Sequence, residues 1–146
     1  MMMTYGNVYV ASVALGANPA QTITALQEAE AYPGPSIVIA YCPCINHGLR
    51  AGMNTTVSEE RDAVKSGYWP LYRYNPALAA QGKEPLIVDC AAPDGTLPAF
   101  LAGESRYQQL RESDPALADT LQGRLADRTA ELHTLLMQES RLPASK

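Results

Sequence analysis

The run Ser36-Ile37-Val38-Ile39-Ala40-Tyr41 constrains this chain more than any other segment. It carries no charge and no polar alternation, and Pro33-Gly34-Pro35 closes it off upstream. A short apolar stretch of that kind predicts a strand buried on both faces, as in a parallel sheet. Cys42-Pro43-Cys44-Ile45-Asn46-His47-Gly48 follows at once. In open parallel sheets the carboxyl ends of the strands face the ligand crevice. Two thiols and an imidazole are therefore expected where such a fold keeps its chemistry.

The residues before that run predict the rest of a β-α-β unit. Val8-Tyr9-Val10-Ala11-Ser12-Val13-Ala14 has strand composition, and Gly16 ends it. Asn18-Pro19 supplies a helix cap and a first-turn proline. Ile23, Leu26 and Ala29 then mark the expected inner face of a helix reaching about Tyr32. The crossover between the two strands is expected to be right-handed.

Further along, residues 48–56 read as a loop with a helical turn, and residues 57–66 as a short charged helix facing solvent, closed by Gly67. Tyr68-Trp69-Pro70-Leu71-Tyr72-Arg73-Tyr74 has strand composition, but its proline points to an edge strand or an extended segment. Asn75-Pro76 marks a turn, and Leu86-Ile87-Val88-Asp89 is the last expected strand. Phe100, Leu101, Tyr107 and Leu110 trace an amphipathic helix. Asp114-Pro115 caps another, with Leu117, Leu121, Leu125, Leu132 and Leu136 at helical spacing. The tail from Leu142 to Lys146 is expected to fray.

Composition narrows the function classes. A net charge of -4 leaves no basic block to neutralise phosphates, which argues against a nucleic-acid surface. No apolar run approaches the ~18 residues of a membrane span. No secretory leader is expected after Met1-Met2-Met3. Three cysteines, two of them one residue apart, make a poor disulfide framework, so thiols in a reducing cytoplasm are expected. At 146 residues there is room for one core. Yet three or four strands followed by two helices leave a parallel sheet short of neighbours, so a piece of something larger is expected.

Several blocks carry a more specific signal. Thr4–Ala11, Glu28–Ser36, Ala40–Gly48, Ser66–Pro76 and Gly103–Tyr107 closely resemble consecutive blocks of the pyruvate:ferredoxin (flavodoxin) oxidoreductases. The resemblance covers nearly the whole chain in order. It implies an α/β fold, with residues 1–146 a single partial domain: the carboxyl-terminal half of a three-layer, parallel-sheet thiamine-diphosphate-binding domain, with a helical extension over 97–141. That family decarboxylates pyruvate on thiamine diphosphate and Mg2+, passes electrons through [4Fe–4S] clusters to ferredoxin or flavodoxin, and delivers acetyl to coenzyme A. The resemblance implies a homodimeric parent and, as partner, the remainder of that polypeptide. The family's Gly-Asp-Gly motif is absent from this sequence, so this stretch alone is expected to be inactive.

Cys44 is the residue the resemblance singles out. It matches the family's cysteine before Ile-Asn, the fourth thiolate of the cluster nearest the thiamine, whose other three ligands come from elsewhere in the polypeptide. Cys42 and Cys90 are expected to be core residues. His47 reads equally as a satisfied loop histidine or a neighbour of the cluster, and His133 as solvent-facing. Gly16-Ala17-Asn18-Pro19 is expected to be a plain turn, lacking the full phosphate-binding pattern. Tyr68, Trp69, Tyr72 and Tyr74 are expected to pack against a neighbouring domain, and the leucine stripe to be core or interface. Two rivals stand beside this reading. One is a structural zinc site from Cys42, Cys44, His47 and Cys90; the other is a non-catalytic interaction module derived from the oxidoreductase.

Overall fold

A computed structural model describes residues 2–141, so the tail expected to fray lies outside the described residues. The β-α-β unit forms as the sequence predicts. Strand β1 (Tyr9–Val13) is buried throughout, and β2 (Ser36–Ala40) pairs with it in parallel, Tyr9 opposite Ser36 and Val13 opposite Ala40. Helix α1 (Pro19–Ala31) joins them, and the Asn18 side chain accepts from the Gln21 N–H at 3.0 Å.

The inner face of α1 differs from expectation. Ile23 and Leu26 are about half exposed, while Ala25, Gln21 and Thr22 are buried and Ala29 packs behind them. Alanines let the helix axis approach the sheet closely, and the larger side chains are turned outward. Tyr9, Ala11, Val13 and Ala25 form the centre of this first core, with Tyr32 and Val38 against it.

The sheet is mixed rather than wholly parallel. Strand β3 (Tyr72–Tyr74) runs antiparallel to β1, and β4 (Leu86–Val88) antiparallel to β3, in the order β2-β1-β3-β4. The aromatic segment thus ends in an internal strand, Tyr72–Tyr74, rather than in the edge strand that was one of its two expectations. Pro70 lies outside the strand, where its carbonyl accepts from the Ser12 hydroxyl at 2.7 Å, so its missing N–H costs no ladder bond.

Helix α2 (Thr56–Lys65) follows a 3-10 turn at Met53–Thr55, and Asn75 caps the single-turn α3 (Pro76–Ala79) where a turn was expected. The amphipathic helix expected after Phe100 is two helices, α4 (Leu97–Gly103) and α5 (Ser105–Ser113). The chain breaks at Glu104, whose backbone is extended because it bridges to Leu49. A second core gathers Ala63, Leu97, Phe100 and Leu101, with Tyr41, Tyr68, Trp69, Tyr107 and Leu125 packed on it. Tyr68 and Trp69 thus pack on this core while remaining partly exposed.

Helix α6 (Pro115–Glu139) buries Ala118, Thr129 and Leu136, while Leu117, Leu121 and Leu132 stay exposed. His133 is half-buried with its Nε2 shielded from solvent, contrary to the solvent-facing expectation; one flank of the helix turns it toward the body of the fold. Among the described residues no helix is long and apolar enough to cross a membrane.

Candidate functional site

Both parallel strands deliver their carboxyl ends to one place. The Tyr41 N–H donates to the Val13 carbonyl at 2.9 Å, and the Trp69 indole N–H donates to the same oxygen at 3.1 Å. Pro43 is buried, and beyond it the chain turns back on itself. The Gly48 N–H reaches the Cys44 carbonyl at 2.9 Å, with Gly48 at φ +73°, a backbone glycine adopts without strain.

That turn presents the Cys44 sulfur to solvent. The His47 ring Nδ1 lies 3.1 Å from Sγ. The His47 backbone N–H, the His47 side chain and the Asn46 backbone N–H, in that order of effect, bring the thiol down to about 7. Donors aimed at a sulfur favour its anionic form, the form that ligates metal. The sulfur sits exposed at an open rim beyond the end of β2.

Cys44, Cys42, His47, Tyr41, Glu104 and Arg106 line a cavity of about 120 Å³. Glu104 is buried, and the Tyr41 hydroxyl donates to its Oε1 at 3.2 Å; burial raises the Glu104 carboxyl and the Tyr41 phenol alike. The Arg50 N–H donates to the Gly103 carbonyl at 3.0 Å, tying the cysteine loop to the α4–α5 junction. Sequence reasoning missed Glu104, although it falls within the Gly103–Tyr107 block, because its role depends on a helix break.

The other cysteines separate from Cys44. Cys42 is exposed rather than part of a core, because it follows the last residue to pair with β1 and turns out with the loop. Cys90 is half-buried and accepts from the Leu71 N–H at 3.3 Å, and burial pushes its thiol up. Among the described residues no three of His, Cys, Asp or Glu come together to hold a metal, so Cys42, Cys44, His47 and Cys90 do not assemble the zinc set. The Gly16 segment is a turn. Its N–H donates to Glu60 Oε2 at 2.8 Å, and a Cβ at Gly16 would meet the Val57 carbonyl at 2.9 Å.

Fold and site together define a class: an α/β segment that presents one acidified thiol at the carboxyl end of its parallel strands and holds no complete metal site among the described residues. The chain is a homologue of one segment of the pyruvate-flavodoxin and pyruvate:ferredoxin oxidoreductases. It is 54% identical over 121 residues to the pyruvate-flavodoxin oxidoreductase of Klebsiella pneumoniae, covering 83% of this chain and 10% of that protein. It is 53% identical over 121 residues to the pyruvate:ferredoxin oxidoreductase of Moorella thermoacetica, with the same coverage. The mitochondrial pyruvate dehydrogenase [NADP(+)] of Euglena gracilis is 49% identical over 127 residues, 87% of this chain and 7% of that protein. The chain thus spans about a tenth of the length of the curated relatives it matches. No protein-family model matches it.

Proposed function

We propose that this chain works as a segment of a pyruvate:ferredoxin or pyruvate-flavodoxin oxidoreductase, in which Cys44 supplies one thiolate of a [4Fe–4S] cluster. One observation carries the reading: an exposed sulfur, pre-set toward the thiolate by its own turn, in a chain about half identical to those enzymes. A cubane cluster takes four thiolates, which distant segments can contribute. The residues here fit one such position, so the remaining three belong to other parts of the polypeptide.

When bound, the cluster supplies one-electron transfer. The residues of this chain do the holding: Cys44 ligates, the Asn46 and His47 N–H groups donate toward its sulfur, and Gly48 closes the turn. Donors of that kind stabilise added negative charge on sulfur and raise a cluster's potential. No Gly-Asp-Gly occurs in the sequence, so no step on thiamine diphosphate or Mg2+ is assigned to this chain. In the intact enzyme the reading gives oxidative decarboxylation of pyruvate with coenzyme A to acetyl-CoA and CO2, electrons leaving to ferredoxin or flavodoxin. The isolated chain is inactive.

The test uses the full-length Klebsiella relative carrying this chain in place of its homologous segment. Pyruvate-dependent viologen reduction is expected from it and none from the isolated chain. Cys44→Ala should abolish electron transfer to the nearest cluster and its EPR signal while bound thiamine diphosphate stays. Full activity with an intact EPR signal in that variant, or turnover by the isolated chain, overturns the reading.

A further inference from the structure

We propose that Cys42 and Cys44 form a reversible dithiol site, which reacts with low-molecular-weight disulfides and closes into a disulfide across Pro43. The geometry begins where a strand stops. Pairing of β2 with β1 ends at Ala40, and beyond it the Tyr41 N–H still reaches the Val13 carbonyl. Proline at 43 favours an extended backbone at Cys42 and fixes its own φ at about −65°. In an extended chain alternate side chains share a face. Burial follows that rule: Pro43 is buried, and the cysteines on either side of it are exposed. Both thiols line the same cavity, together with His47 and Glu104.

The sulfurs are placed toward each other by separate contacts. The Cys42 S–H donates to the Pro43 carbonyl at 3.6 Å, which lays that sulfur beside the peptide joining Pro43 to Cys44. The Cys44 sulfur is held in its turn by the His47 ring, 3.1 Å away. Residues two apart in an extended chain lie about 6–7 Å apart at Cα. That is the upper end of the roughly 4.4–6.8 Å a disulfide spans. Ring closure asks for a small contraction, and it falls beyond the paired residues of β2, so the sheet ladder is untouched. Cys90 is no competitor, since its sulfur is half-buried and accepts the Leu71 N–H at 3.3 Å.

The reaction balances with one small disulfide as oxidant. Cys44, at the open rim, attacks one sulfur of that molecule as the thiolate. A mixed disulfide forms at Cys44 and the first small thiolate leaves. Cys42 then attacks the Cys44 sulfur, the Cys42–Cys44 bond forms, and the second small thiolate leaves. The two protons of the protein thiols end on the two expelled thiolates. Two cysteines are thereby oxidised and one small disulfide is reduced to two thiols. An exposed disulfide is labile, so a reducing thiol pool returns both sulfurs. While the bond stands Cys44 cannot take iron, a consequence that rests on the reading above; the reaction itself does not.

Alkylation read by peptide mass spectrometry tests the site on the full 146-residue chain. The reduced chain is mixed with glutathione disulfide under anaerobic conditions, quenched and alkylated. Cys90 alone should take the alkyl group, and dithiothreitol should restore all three thiols. In Cys42→Ser the glutathione adduct should stay on Cys44, its release at least about tenfold slower than in the parent chain. Several results overturn the inference: both thiols unreacted, an adduct that persists on the parent chain, release as fast in Cys42→Ser, or disulfide-linked dimers in place of the internal bond. Should Cys42→Ser misfold, the parent chain alone decides. The oxidoreductase reading fails separately, by full activity with an intact EPR signal in the Cys44→Ala chimera, and that result leaves the dithiol inference standing.

Discussion

Within the Cys44–Gly48 turn, glycine at the last position takes a left-handed backbone, and no other residue type among those described does so anywhere in the fold. A Cβ built at Gly48 would meet nothing within 4 Å, so a side chain there acts through backbone strain alone. Gly48→Ala should therefore cost about 1–2 kcal/mol of stability, readable by urea denaturation. It should also move the Asn46 and His47 N–H groups off the sulfur. Alkylation of Cys44, followed by peptide mass spectrometry, tracks the thiolate and should rise through about pH 7 in the parent chain. In Gly48→Ala that rise should shift to higher pH. Unchanged stability with an unchanged profile would show that the turn does not set the thiol. The candidate ligand itself was legible, since Cys-Ile-Asn-His-Gly carries the resemblance. That Cys42 would be exposed was not, because one extra residue after a strand decides which side the sulfur takes.

Elements show where sequence reading stops. Caps were readable: Asn18-Pro19 opens α1 and Asp114-Pro115 opens α6, the cap side chains accepting from the Gln21 and Leu117 N–H groups at 3.0 Å. Faces were harder. In α1 the small Ala25 and Ala29 win the sheet from Ile23 and Leu26, since close approach of backbone outweighs side-chain size at that crossing. In α2 a charged stripe conceals Glu59, whose Oε1 is shielded and whose carboxylate lies 3.5 Å from where a Cβ on Gly103 would stand. Burial first, then the Glu104 and Asp62 charges, push the Glu59 carboxyl up to about 7. A folded-state value raised above the ordinary carboxylate range means that the folded chain holds its proton where the unfolded chain has released it. Stability from this group is thus present at acid pH and is lost as pH rises from about 4.5 to about 7. Glu59→Gln should flatten that slope in denaturation curves across this window. A slope equal to that of the parent chain would place the proton elsewhere.

At the scale of the molecule, one apolar cluster packs on the sheet and a second gathers α2 and α4 beside it, and a polar network stitches the first to α1, β3 and the residue that follows β4. Arg73 stands on β3 between Ala11 of β1 and Ile87 of β4. Its Nε and Nη2 donate to Asp89 at 2.8 and 3.0 Å, and its Nη1 to Glu28 Oε1 on α1 at 2.5 Å. The Tyr9 hydroxyl of β1 completes the set by donating to Glu28 Oε2 at 2.9 Å. No periodicity announces such a network, because its members are far apart in the chain and each reads alone as a surface charge. The Arg73 and Asp89 side chains are each only 14% exposed, so removing one partner strands a nearly buried charge. Arg73→Ala should then cost about 3–5 kcal/mol, with the far ends of α1 and β4 loosening together in hydrogen exchange. Arg73→Lys should fall between the two, since an ammonium keeps the charge but cannot make the two-pronged bond to Asp89. If Arg73→Ala costs under about 1 kcal/mol, the range of a solvated surface pair, then apolar packing alone joins these elements and the network is incidental to the fold.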